Sequence, residues 1–302
     1  MTTPIAHRAF YLLGPTAVGK SELAVALAER VGGEIIGLDA FQIYRGLDIL
    51  SAKPTAAQRA RIPHHLIGEI PLSESFHVAK YRTLAEARIT DVLTRGLLPI
   101  LCGGNGLYLR ALTHGISDIP EGDSALRATL EKEPLSALAD RLRSLDPHST
   151  VDMQNPRRVL RALEVCILTG RPFSSYRSEW ESEPTVCGIL LTRERGDLLA
   201  RITARTHAMF AEGLLAEVAA TTEPGPTAAQ MLGLREIRAH LAGETTRPDC
   251  IAAITIATRQ YAKRQMTWFR RERSYPPLDL TTASDPLETL VRAAETHKTA
   301  WK

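Results

Sequence analysis

Eight residues near the N-terminus, Gly14-Pro15-Thr16-Ala17-Val18-Gly19-Lys20-Ser21, satisfy the pattern G-x-x-x-x-G-K-[ST] in full. Glycines at both ends let a backbone wrap tightly enough to aim N–H groups at phosphate oxygens. Lys20 adds a cation for the terminal phosphates, and the Ser21 hydroxyl is placed to hold Mg²⁺. The motif reads as a site for a diphosphate or triphosphate with Mg²⁺ and leaves open what happens to it. Asp39 closes a second apolar stretch, Glu34-Ile35-Ile36-Gly37-Leu38. A carboxylate at such a strand end has three readings: a local cap, a Mg²⁺ ligand of a nucleotide hydrolase, or a general base facing the phosphates. The local pattern does not separate the last two.

A different chemistry is written near the C-terminus. Arg259, Lys263, Arg264, Arg270, Arg271 and Arg273 stand against one acid, Glu272. Arg259, Lys263 and Arg270 share one face at helical spacing, with Tyr261, Trp268 and Phe269 interleaved. Cations for phosphates and aromatics for stacking are what RNA binding uses; a solvated basic helix with core aromatics is the plainer alternative. Arg157, Arg158 and Arg161 make a second basic cluster.

Elements must position these groups. Ala9–Leu13 reads as a buried strand entering the glycine loop, and Ser21–Arg30 as the helix leaving it. Glu34–Leu38 is the second strand, so the opening is a parallel βαβ unit. The pattern predicts a helix over Val78–Thr94, a strand over Leu97–Cys102, then Gly103-Gly104-Asn105-Gly106 and a helix from Leu107. From Ser117 to Glu183 no strand pattern occurs. Two helices are expected there, Leu135–Leu145 and Arg157–Thr169, the second opened by Asn155-Pro156 and closed by Gly170. Val186–Leu191 resumes the strands, followed by helices over Leu198–Ala211, Gly213–Ala220 and Asp249–Arg271. The last 25 or so residues, polar and proline-containing, read as a loose tail. The fold class is therefore α/β: a parallel-sheet core of the P-loop NTPase type flanked by helices, residues 1–117 and 186–302, with an all-helical insert, 118–185.

Composition sets the outer limits. The chain has 302 residues, 44% hydrophobic, with 37 Lys+Arg against 34 Asp+Glu and a net charge of +3. A balance so close to neutral excludes a histone-like polycation, so any nucleic-acid site must be local. Acidic residues of the insert, Asp118, Glu121, Asp123, Glu131 and Glu133, read as solvated surface. The four cysteines lie tens of residues apart with no C-x-x-C, which argues for reduced, mostly buried thiols rather than zinc or a redox pair. No His-x-x-x-His pair occurs; His64-His65 is either structural or close to the site. With no signal-like or membrane-spanning stretch, a cytoplasmic protein without a membrane partner is expected.

Taken in order, several segments resemble bacterial tRNA dimethylallyltransferase, the tRNA isopentenyl transferase family. Asp39-Ala40-Phe41-Gln42-Ile43-Tyr44-Arg45-Gly46-Leu47-Asp48-Ile49 looks like its D-S-x-Q-[VI]-Y-R-G-M-D-I-G segment, followed by Ala52-Lys53-Pro54 and Pro63-His64-His65-Leu66. Gly103-Gly104-Asn105-Gly106-Leu107-Tyr108 resembles G-G-T-G-L-Y, and Asn155 to Glu164 resembles N-x-x-R-x-x-R-A-L-E. Thr258 to Arg270 is similar to T-R-Q-x-A-K-R-Q-x-T-W-x-R. Three positions depart: Ala40 for Ser, Asn105 for Thr, and Leu234 for a Tyr.

The resemblance implies transfer of a dimethylallyl group from its diphosphate to the exocyclic N6 of the adenosine at tRNA position 37, beside the anticodon. It assigns the loop Gly14–Ser21, with Mg²⁺ on Ser21, to the leaving diphosphate, and makes Asp39 the general base, with Lys20, Ser21 and Asn105 as further catalytic residues. Thr16 is expected to touch the diphosphate or the base-side carboxylate. Asp39, Ala40, Phe41, Gln42, Asn105 and Arg127 are the implied contacts with a flipped-out adenosine and its tRNA. Arg157, Arg158, Arg161, Arg259, Lys263, Arg264 and Arg270 are the expected grip on the anticodon stem-loop. A monomer is expected.

Overall fold

Apolar residues running without polar interruption up to the glycine loop make the first strand a fully buried one, β1 (Phe10–Leu13). The structure, a computed structural model, describes residues 4–116, 119–120, 122–176 and 186–300. After β1 come α1 (Lys20–Val31), β2 (Gly33–Leu38), α2 (Ala56–Arg61), the short β3 (His64–His65), α3 (Val78–Thr94), β4 (Leu98–Gly103) and α4 (Gly106–Thr113). The helices α5 (Ser124–Leu130), α6 (Leu135–Leu145) and α7 (Pro156–Thr169) follow. The sheet resumes with β5 (Cys187–Thr192), then α8 (Arg195–Ala211), α9 (Leu214–Ala219), α10 (Leu234–Leu241), α11 (Arg247–Phe269), β6 (Pro277–Asp279) and α12 (Pro286–Thr299).

Among the described residues the six strands are all parallel, in the order β3-β2-β4-β1-β5-β6. β1 lies in the middle, with Leu13 level with Gly103 of β4 and Leu190 of β5. Side chains alternate across the sheet, so each strand feeds two cores. Tyr11, Leu13, Ile36, Leu38 and Leu101 enter one, with α3, α4 and α9 to α11. Phe10, Leu12, Ile35, Ile100 and Leu191 enter the other, with α1 and α12.

The last segment corrects the expectation of a loose tail. Asp285 caps α12 by accepting from Glu288 N, and Pro286 opens the first turn. Leu290, Val291 and Ala294 are buried beside α1. Two aliphatic side chains taken out of water contribute about 1.5–3 kcal/mol each, so this helix completes the second core. Its cap and its i, i+3, i+4 spacing were visible, but proline and threonine around it masked the pattern.

The chain divides into two compact units: Met1–His114 with Glu183–Lys302, and Gly115–Ser182. The expected domain boundaries touch residues 117, 118 and 185, which lie outside the described residues, as do Asp118 and Glu121. The second unit has its own core of Leu130, Leu138, Leu142, Val159, Leu163 and neighbours from α5, α6 and α7. Asn155 caps α7 through Arg158 N, with Pro156 in its first turn and Gly170 in the left-handed conformation at its end. Cys102, Cys166, Cys187 and Cys250 are all unbridged. Among the described residues, no helix is long and apolar enough to cross a membrane.

Candidate active site

A parallel sheet sends the C-terminal ends of its strands to one edge, where open α/β folds bind ligands. The phosphate loop follows β1, Asp39 follows β2, Gly104-Asn105 follows β4 and Arg193 follows β5. Of these, the phosphate loop, Asp39 and Gly104 line a cleft of about 460 Å³, whose wall includes Thr16, Lys20, Ser21, Asp39, Gln42 and Arg205. The cleft lies wholly within the first unit.

Gly19 caps α1 with φ 111°, a left-handed conformation that favours glycine. Lys20 turns back over the loop, its ammonium donating to the carbonyls of Gly14 at 2.8 Å and Pro15 at 2.7 Å. Burial lowers its pKa to about 8, against the pull of nearby Asp39. Burial likewise pushes the Asp39 carboxyl above the usual range. Bonds from Phe41 N at 2.9 Å and Gln42 N to Asp39 Oδ1, with the charges of Lys20 and Arg205, oppose that shift. Asp39 thus sits in an Asx turn, with its orientation fixed by backbone.

Three arginines absent from the sequence reading brace the loop. Arg205 of α8 donates to Thr16 Oγ1 at 2.7 Å, Arg201 to Ala17 O at 3.0 Å, and Arg193 to Val18 O at 2.8 Å. Ala17 has φ 65°, a conformation costing a non-glycine residue about 1 kcal/mol. Arg201 and Arg193 hold the carbonyls of Ala17 and Val18. The signal for Arg201 and Arg205 was their i, i+4 spacing on a helix that follows a strand.

Two glycines of the loop after β4 are required by close approach. A Cβ on Gly104 would collide with the Gln265 carboxamide, and one on Gly106 with the Trp268 indole. Both partners belong to α11. Gln265 accepts from Thr16 N at 2.9 Å and donates to Gly104 O at 3.0 Å. The Thr16 N–H is therefore held by Gln265, where the motif alone suggests a phosphate donor.

The sequence-predicted residues separate into groups. Thr16, Ala17, Gly19, Lys20, Ser21, Asp39 and Gln42 line the cleft. Ala40 and Phe41 are half-buried and pack against the core. Asn105 caps α4, its Oδ1 accepting from Tyr108 N at 3.2 Å. Leu234 is buried at the start of α10, an apolar packing residue. His64 lines the cleft, while His65 bonds the carboxylate of Glu34 at 2.7 Å.

On α11, Arg259, Lys263 and Arg264 are exposed, and Arg270 follows at the cap, also exposed. The aromatic expectation is corrected in part: Phe269 is core, and Trp268 covers Gly106 with the Arg110 guanidinium 5.0 Å from its ring centroid. Glu272, the acid of this segment, is held by Arg110 at 2.9 Å. In the second unit, Arg157 and Arg158 are exposed at the start of α7. Arg127 and Arg161 instead converge on the buried carboxylate of Glu164, both at 2.7 Å.

A family model described as IPP transferase matches residues 42–272. A tRNA dimethylallyltransferase of Halorhodospira halophila is 43% identical, with 97% of each chain covered. One from Akkermansia muciniphila is 39% identical over 94% of this chain and 98% of its own. Among solved structures, the full-length tRNA isopentenylpyrophosphate transferase of Bacillus halodurans superposes with a TM-score of 0.70 at 35% identity, covering 98% of this chain and 99% of that one. A eukaryotic dimethylallyltransferase acting on tRNA gives a TM-score of 0.77 at 26% identity, covering 97% and 77%.

Proposed function

The chain belongs to the IPP transferase family, and from that premise we propose that it is a tRNA dimethylallyltransferase. The observation that carries the reading is the pairing across one cleft of a phosphate loop with a buried, backbone-oriented carboxylate, Asp39. A nucleotide hydrolase would use such a carboxylate to hold Mg²⁺, whereas an alkyl transfer to an amine uses it as a base, and the family favours the second.

In the proposed reaction the adenosine N6 lone pair attacks the first carbon of the dimethylallyl group. The C–O bond to the diphosphate breaks with its electrons leaving on oxygen. The N6 proton passes to Asp39. A free carboxylate is a weak base for an aryl amine, but that N–H acidifies as the C–N bond forms, so orientation matters most. The raised pKa of Asp39 also brings it closer to neutral pH. Lys20 and Arg205, both lining the cleft, neutralise charge that develops on the leaving diphosphate.

Mg²⁺ fits the donors present. Among the described residues no three His, Cys, Asp or Glu side chains are grouped to hold a metal ion. Ser21 would hold the ion, completed by substrate phosphate oxygens and water, the usual way Mg²⁺ is held. When bound it supplies further charge neutralisation to the diphosphate.

The adenosine at position 37, next to the anticodon, is the proposed acceptor, in a single-stranded loop where flipping is cheap. Asp39 and Gln42 face the cleft where the base enters. The exposed cations of α11, with Arg157 and Arg158, are the proposed phosphate contacts. Two cations at the N-terminal end of α7 oppose its dipole, so helix stability does not explain them.

The test incubates the protein with Mg²⁺, dimethylallyl diphosphate and unmodified tRNA and follows the mass of adenosine. A dimethylallyl gain is expected. No gain, together with ATP hydrolysis, would return the loop to nucleotide chemistry.

A further inference from the structure

Gln265 is the residue that sequence reasoning carried in a motif and gave no task. It is 7% exposed. A buried carboxamide must satisfy one acceptor and two donor positions, and this one meets different chain segments at its two ends. Its oxygen takes the N–H of Thr16 in the phosphate loop, and its nitrogen donates to the carbonyl of Gly104 in the loop after β4. One partner is a donor and the other an acceptor, so only one orientation of the amide satisfies both. At their roots the two loops are already joined by Gly14 N to Gly103 O at 3.2 Å. Further out, the Gln265 side chain bridges them.

Resting on the activity read above, we propose that Gln265 is a positioning residue. It sets the spacing between the loop that holds the leaving diphosphate and the loop that bears Asn105. Thr16 is held at two of its polar groups, the N–H by Gln265 and the hydroxyl by Arg205. The hydroxyl contact steers a side chain; the N–H contact steers the backbone that wraps the diphosphate. Displacing reacting atoms by about 1 Å lowers rate by about a hundredfold, so a strut between these loops acts on turnover more than on binding. The missing Cβ at Gly104 supports this geometry, because any larger residue would push the carboxamide off its partners. The exposed cations Lys263 and Arg264 sit beside Gln265 on α11 but face solvent, so altering the strut leaves that surface intact.

Two variants test it. Gln265→Glu keeps the acceptor for Thr16 N–H and loses the donor for Gly104. Gln265→Met keeps the length and loses both. Steady-state kinetics are measured with each substrate varied, alongside tRNA binding and thermal melting. Both variants are expected to lose at least tenfold in kcat, with KM for dimethylallyl diphosphate within threefold and tRNA Kd within twofold of wild type. Wild-type kcat in a folded Gln265→Glu overturns the proposal. So does a change confined to KM for the diphosphate, which would make Gln265 part of the diphosphate site alone. A loss of kcat that parallels loss of melting temperature and tRNA binding reduces it to a packing residue. A wild-type protein that transfers nothing overturns the activity itself, and this role with it.

Discussion

Two sets of arginines, one in each unit, are arranged in opposite ways. Arg201 and Arg205 of the sheet unit donate to uncharged oxygens, a carbonyl and a hydroxyl, and so keep their charge beside the cleft. Arg127 and Arg161 of the helical unit share the carboxylate of Glu164, which cancels one of their two charges. The same side chain therefore serves two ends. In the first setting it holds a loop and leaves a field for an anion; in the second it anchors a buried acid. Loss of an arginine from the first should remove function with little loss of stability, and disruption of the second should do the reverse.

The largest effect belongs to the group that the first set surrounds. Asp39→Ala should lower transfer by about a thousandfold, the scale of a general base, while tRNA affinity stays within a few-fold by filter binding. Loss of both would make Asp39 a structural carboxylate. Next, Arg205→Leu should reduce kcat/KM for dimethylallyl diphosphate by about a hundredfold, as removal of one charge-stabilising donor does. Its melting temperature should hardly move. A parallel fall in melting temperature would erase the contrast drawn above.

Smaller still is the effect of pH on the same cleft. Lys20 has its pKa lowered to about 8 by burial. Its charged form is the one that attracts a diphosphate, and that form is lost as pH rises through this value. Asp39, raised by burial, must be ionised to accept a proton, so activity falls as pH drops through its pKa. kcat/KM for the diphosphate should therefore be bell-shaped, down roughly tenfold one pH unit above the Lys20 pKa. kcat should lack the alkaline limb, because bound diphosphate keeps Lys20 protonated. An alkaline limb in kcat would assign it to another group.

Much of the cleft was readable because its determinants are local. The phosphate loop and the turn at Asp39 are each short runs in which residue type dictates backbone, and the strands feeding them are continuous apolar runs. The resemblance added the order of the segments. The tasks of Arg193, Arg201, Arg205 and Gln265 were not legible, since each acts at a distance in sequence: Gln265 reaches Thr16 across 249 positions. Isolated polar residues on helices carry no local sign of what they will meet. The shared partner of Arg127 and Arg161 was obscured for a similar reason. Their charge was legible, and the buried acid that captures it was read only as part of a motif.

That capture can be probed directly. Glu164→Gln leaves two guanidinium groups against a neutral amide. Both are more than or close to a third exposed, so water takes over part of the role, and a loss of about 1 kcal/mol is expected. In a unit of this size that lowers the melting temperature by about 5 °C, read by calorimetry. Transfer at saturating tRNA should stay within threefold. Collapse of tRNA affinity at unchanged melting temperature would instead place the Arg-Glu-Arg cluster in the RNA grip.

The mildest change is expected where an arginine or lysine has neither an acid nor a loop to hold. Lys263 is exposed on α11, with no ion pair to any acid among the described residues. If it meets a tRNA phosphate, binding releases about one counterion, and log Kd depends on log salt with a slope changed by about 0.7–0.9 per contact. Lys263→Ala should therefore weaken tRNA binding by about threefold near 0.1 M salt and flatten that slope by nearly one contact. kcat at saturating tRNA should be unaltered. A uniform loss of affinity at every salt concentration would mean a packing change. An unaltered slope would leave α11 a solvated basic helix, and the phosphate grip would then rest on Arg157 and Arg158.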